Sequence, residues 1–188
     1  MQSIFPKENA DKALKYRLYR HLPAYEKIIR NLVSFLIKQR VFSWTDTFDI
    51  YDEEGNAKYF VKGEFLSLGH KLHVYNSKGE EVGLVREKLF QLLPVFEIVI
   101  HGQEMGRIQK KLTFLKPRYE IDYKNWKVQG DFLEWNYDVT DELGVVVHIA
   151  KEPLHWGDTY VLDFASEEDE LPGLLTVIAI DAANCQNQ

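Results

Sequence analysis

The chain contains 188 residues, of which 45% are hydrophobic and 13% are aromatic. This composition supports one well-packed domain and argues against extensive disorder. The formal net charge of −6 argues against a nucleic-acid-binding protein, because such proteins need an excess of Lys and Arg. A single cysteine, Cys185, excludes an internal disulfide framework and a multi-cysteine metal site.

No stretch reaches the ~20 apolar residues of a membrane-spanning helix, and no apolar signal segment follows the N-terminus. We therefore expect a cytoplasmic protein, either free or peripherally attached to a membrane.

Residues 1–35 are predicted to form an N-terminal helical extension. Asn9 can cap the first helix, and Pro23 interrupts a helical pattern that resumes after it. The first segment has an apolar residue at every fourth position, at Leu14, Leu18 and Leu22. We expect two short amphipathic helices, which pack on the domain, bind a protein partner or a second copy of the chain, or lie at a membrane surface.

From residue 36 onward the hydrophobic period changes to two, which is typical of strands. Alternating apolar pairs occur at Phe48 and Ile50, Tyr59 and Val61, Leu72 and Val74, Val82 and Leu84, and Phe96 and Ile98. Three segments between strands combine Asn or Asp with Gly, as hairpin turns require, at residues 52–55, 76–79 and 141–144. This pattern predicts an antiparallel sandwich or barrel.

A unit of about 65 residues occurs twice in the sequence. Residues 61–65 (VKGEF) correspond to residues 128–132 (VQGDF), and Gly79 corresponds to Gly144. The apolar pair that precedes each copy is Phe48 and Ile50 in the first and Tyr119 and Ile121 in the second. Each copy has room for about six strands, so the repeat predicts about twelve.

The C-terminal residues 171–183 are apolar on every helical face, apart from Thr176 and Asp181. A helix without a polar face must be buried. We predict a buried helix near residues 170–184, and a strand over residues 174–180 is the competing interpretation.

Pro172 should lie in the first turn of this helix, which places the helix start near Asp169. About eight strands close into a barrel that side chains alone can fill, whereas twelve leave a lumen wide enough for a helix. The expected fold is a mainly β (α+β) domain over residues 36–188. In it, a closed antiparallel barrel of about twelve strands, built from the two repeats, surrounds the C-terminal helix.

Several segments resemble the LURP-one-related family of the Tubby C-terminal-like superfamily, to which phospholipid scramblases are more distantly related. The matching segments are IKQRVFS at residues 37–43, FDIYDEEGN at residues 48–56, FLSLG at residues 65–69, WKVQGDF at residues 126–132 and DTY at residues 158–160. The resemblance covers roughly residues 36–183. It implies a twelve-stranded barrel around a hydrophobic C-terminal helix, and the chain departs from it by the N-terminal extension.

The resemblance also implies a class of ligand. Tubby-type relatives bind phosphoinositides through basic side chains on the barrel wall, but none of those positions can be matched to a residue of this chain. Candidate cations must therefore come from the sequence itself.

Five cations fall within fifteen residues beside aromatic residues, at Lys110, Lys111, Lys116, Arg118 and Lys124. Lys38 and Arg40 alternate on the first predicted strand, so both project from one face. Such charges suit phosphate recognition, and a solvated face that balances an acidic protein is the alternative.

No catalytic or metal-binding motif is present in the sequence. His70 and His73 lie close together, but on a strand their rings point to opposite faces. We therefore expect no enzyme, no metal and no cofactor. The leading hypothesis is a non-enzymatic domain that binds an anionic phospholipid headgroup or a membrane surface. The alternatives are a protein-interaction or scaffold domain that uses residues 1–35, and a ligand carrier or enzyme with an unrecognised site.

Overall fold

The computed structural model describes residues 33–38, 47–52, 54–64, 69–111, 118–131, 135–152 and 159–185. The described strands are β1 (Val33–Lys38), β2 (Thr47–Tyr51), β3 (Ala57–Gly63), β4 (Lys71–Asn76), β5 (Glu81–Glu87), β6 (Val95–Ile100), β7 (Gln103–Lys111), β8 (Arg118–Ile121), β9 (Lys127–Asp131), β10 (Asn136–Thr140), β11 (Val145–Glu152) and β12 (Thr159–Phe164). The C-terminal helix, α1, spans Glu167–Cys185. The predicted N-terminal helices lie outside the described residues, so the role proposed for residues 1–35 stays a prediction.

Each strand pairs with its neighbours in sequence, and every described pair is antiparallel. β1 pairs with β12 from Val33 opposite Phe164 to Lys38 opposite Thr159. It also pairs with β2, through Leu36 opposite Tyr51 and Ile37 opposite Ile50. The predicted mainly β class with a C-terminal helix is confirmed.

The alternation in the sequence places one face of each strand in the core. Phe48 and Ile50 of β2 are buried, as are Tyr119 and Ile121 at the corresponding places in β8. The pairing register shifts after Val74 in the β4–β5 hairpin and after Val139 in the β10–β11 hairpin. Val74 and Val139 are 65 residues apart, the same spacing as the matched glycines Gly79 and Gly144 of the sequence repeat.

The three predicted hairpin turns are confirmed. The amide of Gly55 donates to the carbonyl of Asp52, and the amide of Gly79 donates to the carbonyl of Asn76, at 3.0 and 2.9 Å. Gly79 has a φ of 80°, a conformation that costs glycine little because it has no Cβ. In the third turn the amide of Asp141 donates to the carbonyl of Gly144 at 2.9 Å.

The helix begins at Glu167, two residues before the predicted start near Asp169. Ser166 lies directly before the helix: its carbonyl accepts from the Asp169 amide at 3.2 Å, and the Ser166 hydroxyl donates to the Asp169 carboxylate at 2.8 Å. Pro172 therefore lies beyond the first turn, contrary to the prediction. Thr176 donates its hydroxyl to the Pro172 carbonyl at 2.8 Å.

The helix packs against the inner face of the sheet, and its residues 174–183 are buried on every side. Glycines allow the sheet and the helix to approach each other closely. A Cβ on Gly83 of β5 would lie 2.8 Å from a methyl carbon of Leu175, and a Cβ on Gly173 would lie 2.6 Å from Val147. The predicted burial of the helix is confirmed, and its apolar surface is the centre of the core.

Polar side chains fix both ends of the helix. At its start, the buried carboxylate of Glu170 accepts hydrogen bonds from Lys58 at 2.7 Å and from the Tyr59 hydroxyl at 2.6 Å. At its end, Lys110 donates to the carbonyl of Ala183 at 3.2 Å. The two ends of the strands are distinguished by their connections. We call the end at which α1 begins the turn end, and the opposite end the loop end. The turn end carries the turns at residues 52–56, 76–80, 101–102, 122–126 and 141–144.

The described part of the chain contains no helix that is both long enough and apolar enough to cross a membrane.

Candidate functional site

The structure describes only part of the basic cluster that the sequence predicts. Lys116 and Arg40 lie outside the described residues, and so does the side chain of Lys38. Positions can therefore be given for Lys110, Lys111, Arg118 and Lys124.

Two of these four cations hold the helix. Lys110 projects inward to the Ala183 carbonyl, because it alternates with the core residue Ile108 on β7. Lys124 lies in the turn after β8, where it forms a 2.8 Å ion pair with Asp169 in the first turn of α1. These contacts give Lys110 and Lys124 structural roles at opposite ends of the helix.

Lys111 and Arg118 lie opposite each other at the loop end, on β7 and β8. Lys111 forms a 2.5 Å ion pair with Glu120. Both cations border an open groove of about 860 Å³, which Lys127, Asp141 and Glu142 also line. Because its cations and carboxylates are mixed, this groove has no strong preference for anions. The structure thus brings Lys111 and Arg118 together and separates them from Lys124.

A different group of charged side chains lies on the outer face of the sheet, which faces away from the helix, at the adjoining strands β5, β6 and β7. We call Arg86, Lys88, Glu97 and Arg107 the Glu97 cluster. In the sheet register Glu97 lies opposite Arg86 on one side and opposite Arg107 on the other. Its side chain points away from the core because it alternates with the inward-facing Phe96 and Ile98.

The three cations share the single carboxylate. Arg86 donates to one Glu97 oxygen at 2.6 Å and Lys88 donates to the other at 2.5 Å, while Arg107 lies 3.7 Å from the second oxygen. The Glu97 side chain is only 6% exposed, whereas those of Arg86, Lys88 and Arg107 are 44%, 34% and 47% exposed. The cluster therefore presents the outer parts of three cations to solvent around a covered anion.

Burial alone would raise the pKa of the Glu97 carboxyl, but the hydrogen bonds from Lys88 and Arg86 outweigh it and hold the pKa below its usual range. Glu97 is therefore ionised at neutral pH. With one negative and three positive groups the cluster has a surplus of two positive charges, which Glu104 reduces through a 3.3 Å pair with Arg107. Glu104 is itself half exposed, and exposed pairs of this kind are weak.

A hollow of about 380 Å³ adjoins the cluster. Its lining includes the cations Lys88 and Arg107, the carboxylates Glu120 and Asp122, and Gln91. The Asp122 carboxylate accepts the backbone amide of Arg107, which fixes the start of that residue's side chain. Because two cations and two carboxylates line the hollow, its lining by itself has no strong preference for anions.

Sequence reasoning missed the Glu97 cluster, although one signal was present. A lone glutamate inside the apolar run of residues 95–100 is costly to bury unless cations meet it. The partners Arg86 and Arg107 come from the neighbouring strands, so only the strand register identifies them.

Three described histidines pair with carboxylates, and the first, His70, lies 3.7 Å from Glu87. His73 lies 3.1 Å from Glu81 and 3.3 Å from Glu64, and His148 lies 2.6 Å from Asp138. Among the described residues, no group of three or more His, Cys, Asp or Glu side chains is arranged to hold a metal ion.

Comparison with known proteins agrees with the fold. The chain is 38% identical over 149 residues to the uncharacterised protein YxjI of Bacillus subtilis (strain 168), a match that spans 79% of this chain and 91% of that protein. It is also similar to the crystal structure of an Arabidopsis thaliana protein, with a TM-score of 0.57 and 17% identity over 80% of this chain and 91% of that one. The sequence profile of the LURP-one-related family matches residues 33–181. The predicted resemblance is therefore confirmed, and the chain belongs to the LURP-one-related family.

Proposed function

We propose that this protein is a non-enzymatic domain that binds the phosphorylated headgroup of an anionic lipid at a membrane surface. The observation that carries the proposal is the Glu97 cluster, in which three partly exposed cations surround one covered carboxylate. This assigns the binding to Arg86, Lys88 and Arg107 rather than to the cations predicted from the sequence.

The chemistry of the cluster suits a phosphate group. Arg86 and Arg107 present planar donor groups that can each give two hydrogen bonds to phosphate oxygens, and Lys88 adds a compact charge. Glu97 holds the Arg86 guanidinium and the Lys88 ammonium group through short hydrogen bonds. Preorganised donors lose less conformational entropy when a ligand binds.

The architecture supports binding at the wall rather than a reaction inside it. We propose that the sheet is a closed barrel, because β1 pairs with both β2 and β12. We further propose that it arose from two related halves, β1–β6 and β7–β12, because register shifts recur after Val74 and Val139. With α1 filling the centre, a ligand is expected on the outside.

The proposal is tested by comparing two single-charge variants. Arg107→Gln removes the cation least tightly held by Glu97, while Arg86 and Lys88 still satisfy that carboxylate. Arg118→Gln is the matched control, because it removes an exposed arginine of the predicted cluster. Flotation with phosphatidylcholine vesicles, with and without phosphatidylinositol 4,5-bisphosphate, measures binding.

The wild-type protein should bind the phosphoinositide vesicles preferentially and lose affinity as salt rises. Arg107→Gln should weaken this binding by about fivefold or more, as expected for one charge-assisted contact, and Arg118→Gln should change it less than twofold. Equal wild-type binding to both vesicle types, or equal losses in the two variants, would refute the assignment.

A further inference from the structure

The loop between β5 and β6, residues 88–94, exposes large apolar side chains at the loop end. Phe90 is 100% exposed, Leu92 is 93% exposed and Leu89 is 40% exposed. Apolar residues scattered singly on a surface need no explanation, but three within four positions form a local apolar patch. We call residues 89–92 the apolar tip.

The base of the loop is held by backbone hydrogen bonds. The Lys88 amide donates to the Val95 carbonyl at 2.8 Å, and the Lys110 amide donates to the Pro94 carbonyl at 3.1 Å. Leu89 lies against Gly69, where a Cβ would come within 3.0 Å of its side chain. Phe90 has a φ of 60°, which aromatic residues rarely adopt. The apolar tip is thus presented on an ordered base rather than folded back onto the core.

The tip adjoins the Glu97 cluster. Lys88 begins the loop and donates to Glu97, and Gln91 of the tip lines the same hollow as Lys88 and Arg107. An apolar surface therefore lies next to a set of cations. Membrane-binding surfaces combine these two features, because the cations meet anionic headgroups while apolar side chains enter the boundary of the acyl region.

We infer that Phe90 and Leu92 insert into the lipid bilayer when the Glu97 cluster meets a headgroup. The inference rests on the proposed function and adds a second, apolar contribution to it. A bilayer is favoured over a protein partner by shape and charge. The most exposed side chains, Phe90 and Leu92, flank the polar Gln91 on a projecting turn, whereas a protein interface needs a surface of complementary form around its apolar centre. A fluid bilayer imposes no such requirement, and the neighbouring cations match an anionic lipid surface.

The test separates insertion from headgroup binding by using two ligands. The full chain and its Phe90→Ser/Leu92→Ser variant are titrated with soluble inositol 1,4,5-trisphosphate by calorimetry. Both are then floated with phosphatidylcholine vesicles that contain phosphatidylinositol 4,5-bisphosphate. The matched control is Leu143→Ser, which removes a 74% exposed leucine from a hairpin turn at the opposite, turn end.

The double variant should lose about tenfold or more in vesicle binding, because burying a Phe and a Leu each contributes substantially to transfer from water. It should bind the inositol phosphate within twofold of wild type, and Leu143→Ser should match wild type in both assays. A Phe90→Trp variant should show a blue-shifted emission on vesicles and quenching by brominated lipids.

The failures of the two proposals are distinguishable. Unchanged vesicle binding by the double variant, or a Phe90→Trp emission that vesicles leave unaltered, overturns insertion while the headgroup site stands. If Phe90→Trp inserts into vesicles but the wild-type protein does not bind the inositol phosphate, the headgroup site is refuted and the insertion of the apolar tip still stands. Loss of self-association in the double variant, with no vesicle binding by the wild type, assigns the tip to a protein contact and overturns insertion.

Discussion

Leu175 of α1 and Gly83 of β5 should behave as one packing unit. Leu175 is fully buried, and a Cβ added to Gly83 would lie 2.8 and 2.9 Å from its two methyl carbons. These distances are ~0.6 Å or more below an unstrained carbon–carbon contact. The leucine fills the space that the glycine leaves, so we expect the effects of Gly83→Ala and Leu175→Ala to be strongly coupled.

The expected losses of unfolding free energy follow from the contact between Leu175 and Gly83. Leu175→Ala removes three buried heavy atoms and should cost ~2.7–5 kcal/mol of unfolding free energy. Gly83→Ala overfills the same contact in the wild-type protein and should cost ~1–3 kcal/mol. In the double variant the new methyl group of residue 83 enters the space left by the leucine. The double variant should therefore be no less stable than Leu175→Ala alone, to within ~0.5 kcal/mol.

Urea unfolding followed by tryptophan fluorescence measures all four proteins of this double-mutant cycle. Gly79→Ala combined with Leu175→Ala is the control, because a Cβ on Gly79 meets nothing within 4 Å. Its effect should add to that of Leu175→Ala within ~0.5 kcal/mol. If the Gly83→Ala and Leu175→Ala effects also add to that precision, the helix does not pack on β5 and the description of the core is wrong.

Three further changes test single contacts. Glu97→Gln should lower the unfolding free energy at pH 7 by ~1–3 kcal/mol. Because the pKa of Glu97 is lowered in the folded state, the ionised carboxylate stabilises the fold at pH values above its unfolded pKa of ~4.3. This stabilisation is lost as the pH falls through the folded pKa. Urea titrations between pH 5 and about pH 3 should show that loss in the wild-type protein and not in Glu97→Gln. Gly130→Ala should cost ~2 kcal/mol or more by thermal unfolding, because φ is 130° and a Cβ would lie 2.6 Å from the Tyr137 Cα. Lys110→Met should cost ~1 kcal/mol through the lost bond to Ala183 and leave vesicle binding unchanged.

Each of these results can contradict its premise. An unaltered acid profile in Glu97→Gln would show that the carboxylate is not held by its cations. If Gly130→Ala is as stable as wild type, β9 and β10 do not approach each other as closely as described. If Lys110→Met binds vesicles more weakly while its stability is unchanged, Lys110 contributes to the ligand site and not to holding the helix.

The class of the fold could be predicted because its signals are local. Phe48 and Ile50 alternate with polar neighbours, and that period determines which face of β2 is buried. The turn at Asn76 and Gly79 was predictable for a similar reason, since turn chemistry is set by adjacent residues. The helix start was misplaced by two residues because the prediction gave weight to Pro172, whereas the carbonyl of Ser166 already accepts the Asp169 amide.

The charged site could not be predicted in the same way. Lys110 and Lys111 are adjacent in sequence, yet one binds a helix carbonyl in the interior and the other pairs with Glu120 on the outside. Clustering along the chain therefore did not identify a cationic surface, since successive residues of a strand lie on opposite faces.

By itself, the sequence determined the strands, the hairpin turns and the buried C-terminal helix, because each depends on hydrophobic period and turn residues within a short segment. Only the tertiary structure decided that Arg86 and Arg107 flank Glu97, and that Lys88 joins them beside the exposed Phe90. These residues meet because the neighbouring strands β5, β6 and β7 pair in one register, and a register is a property of the whole sheet rather than of any one strand.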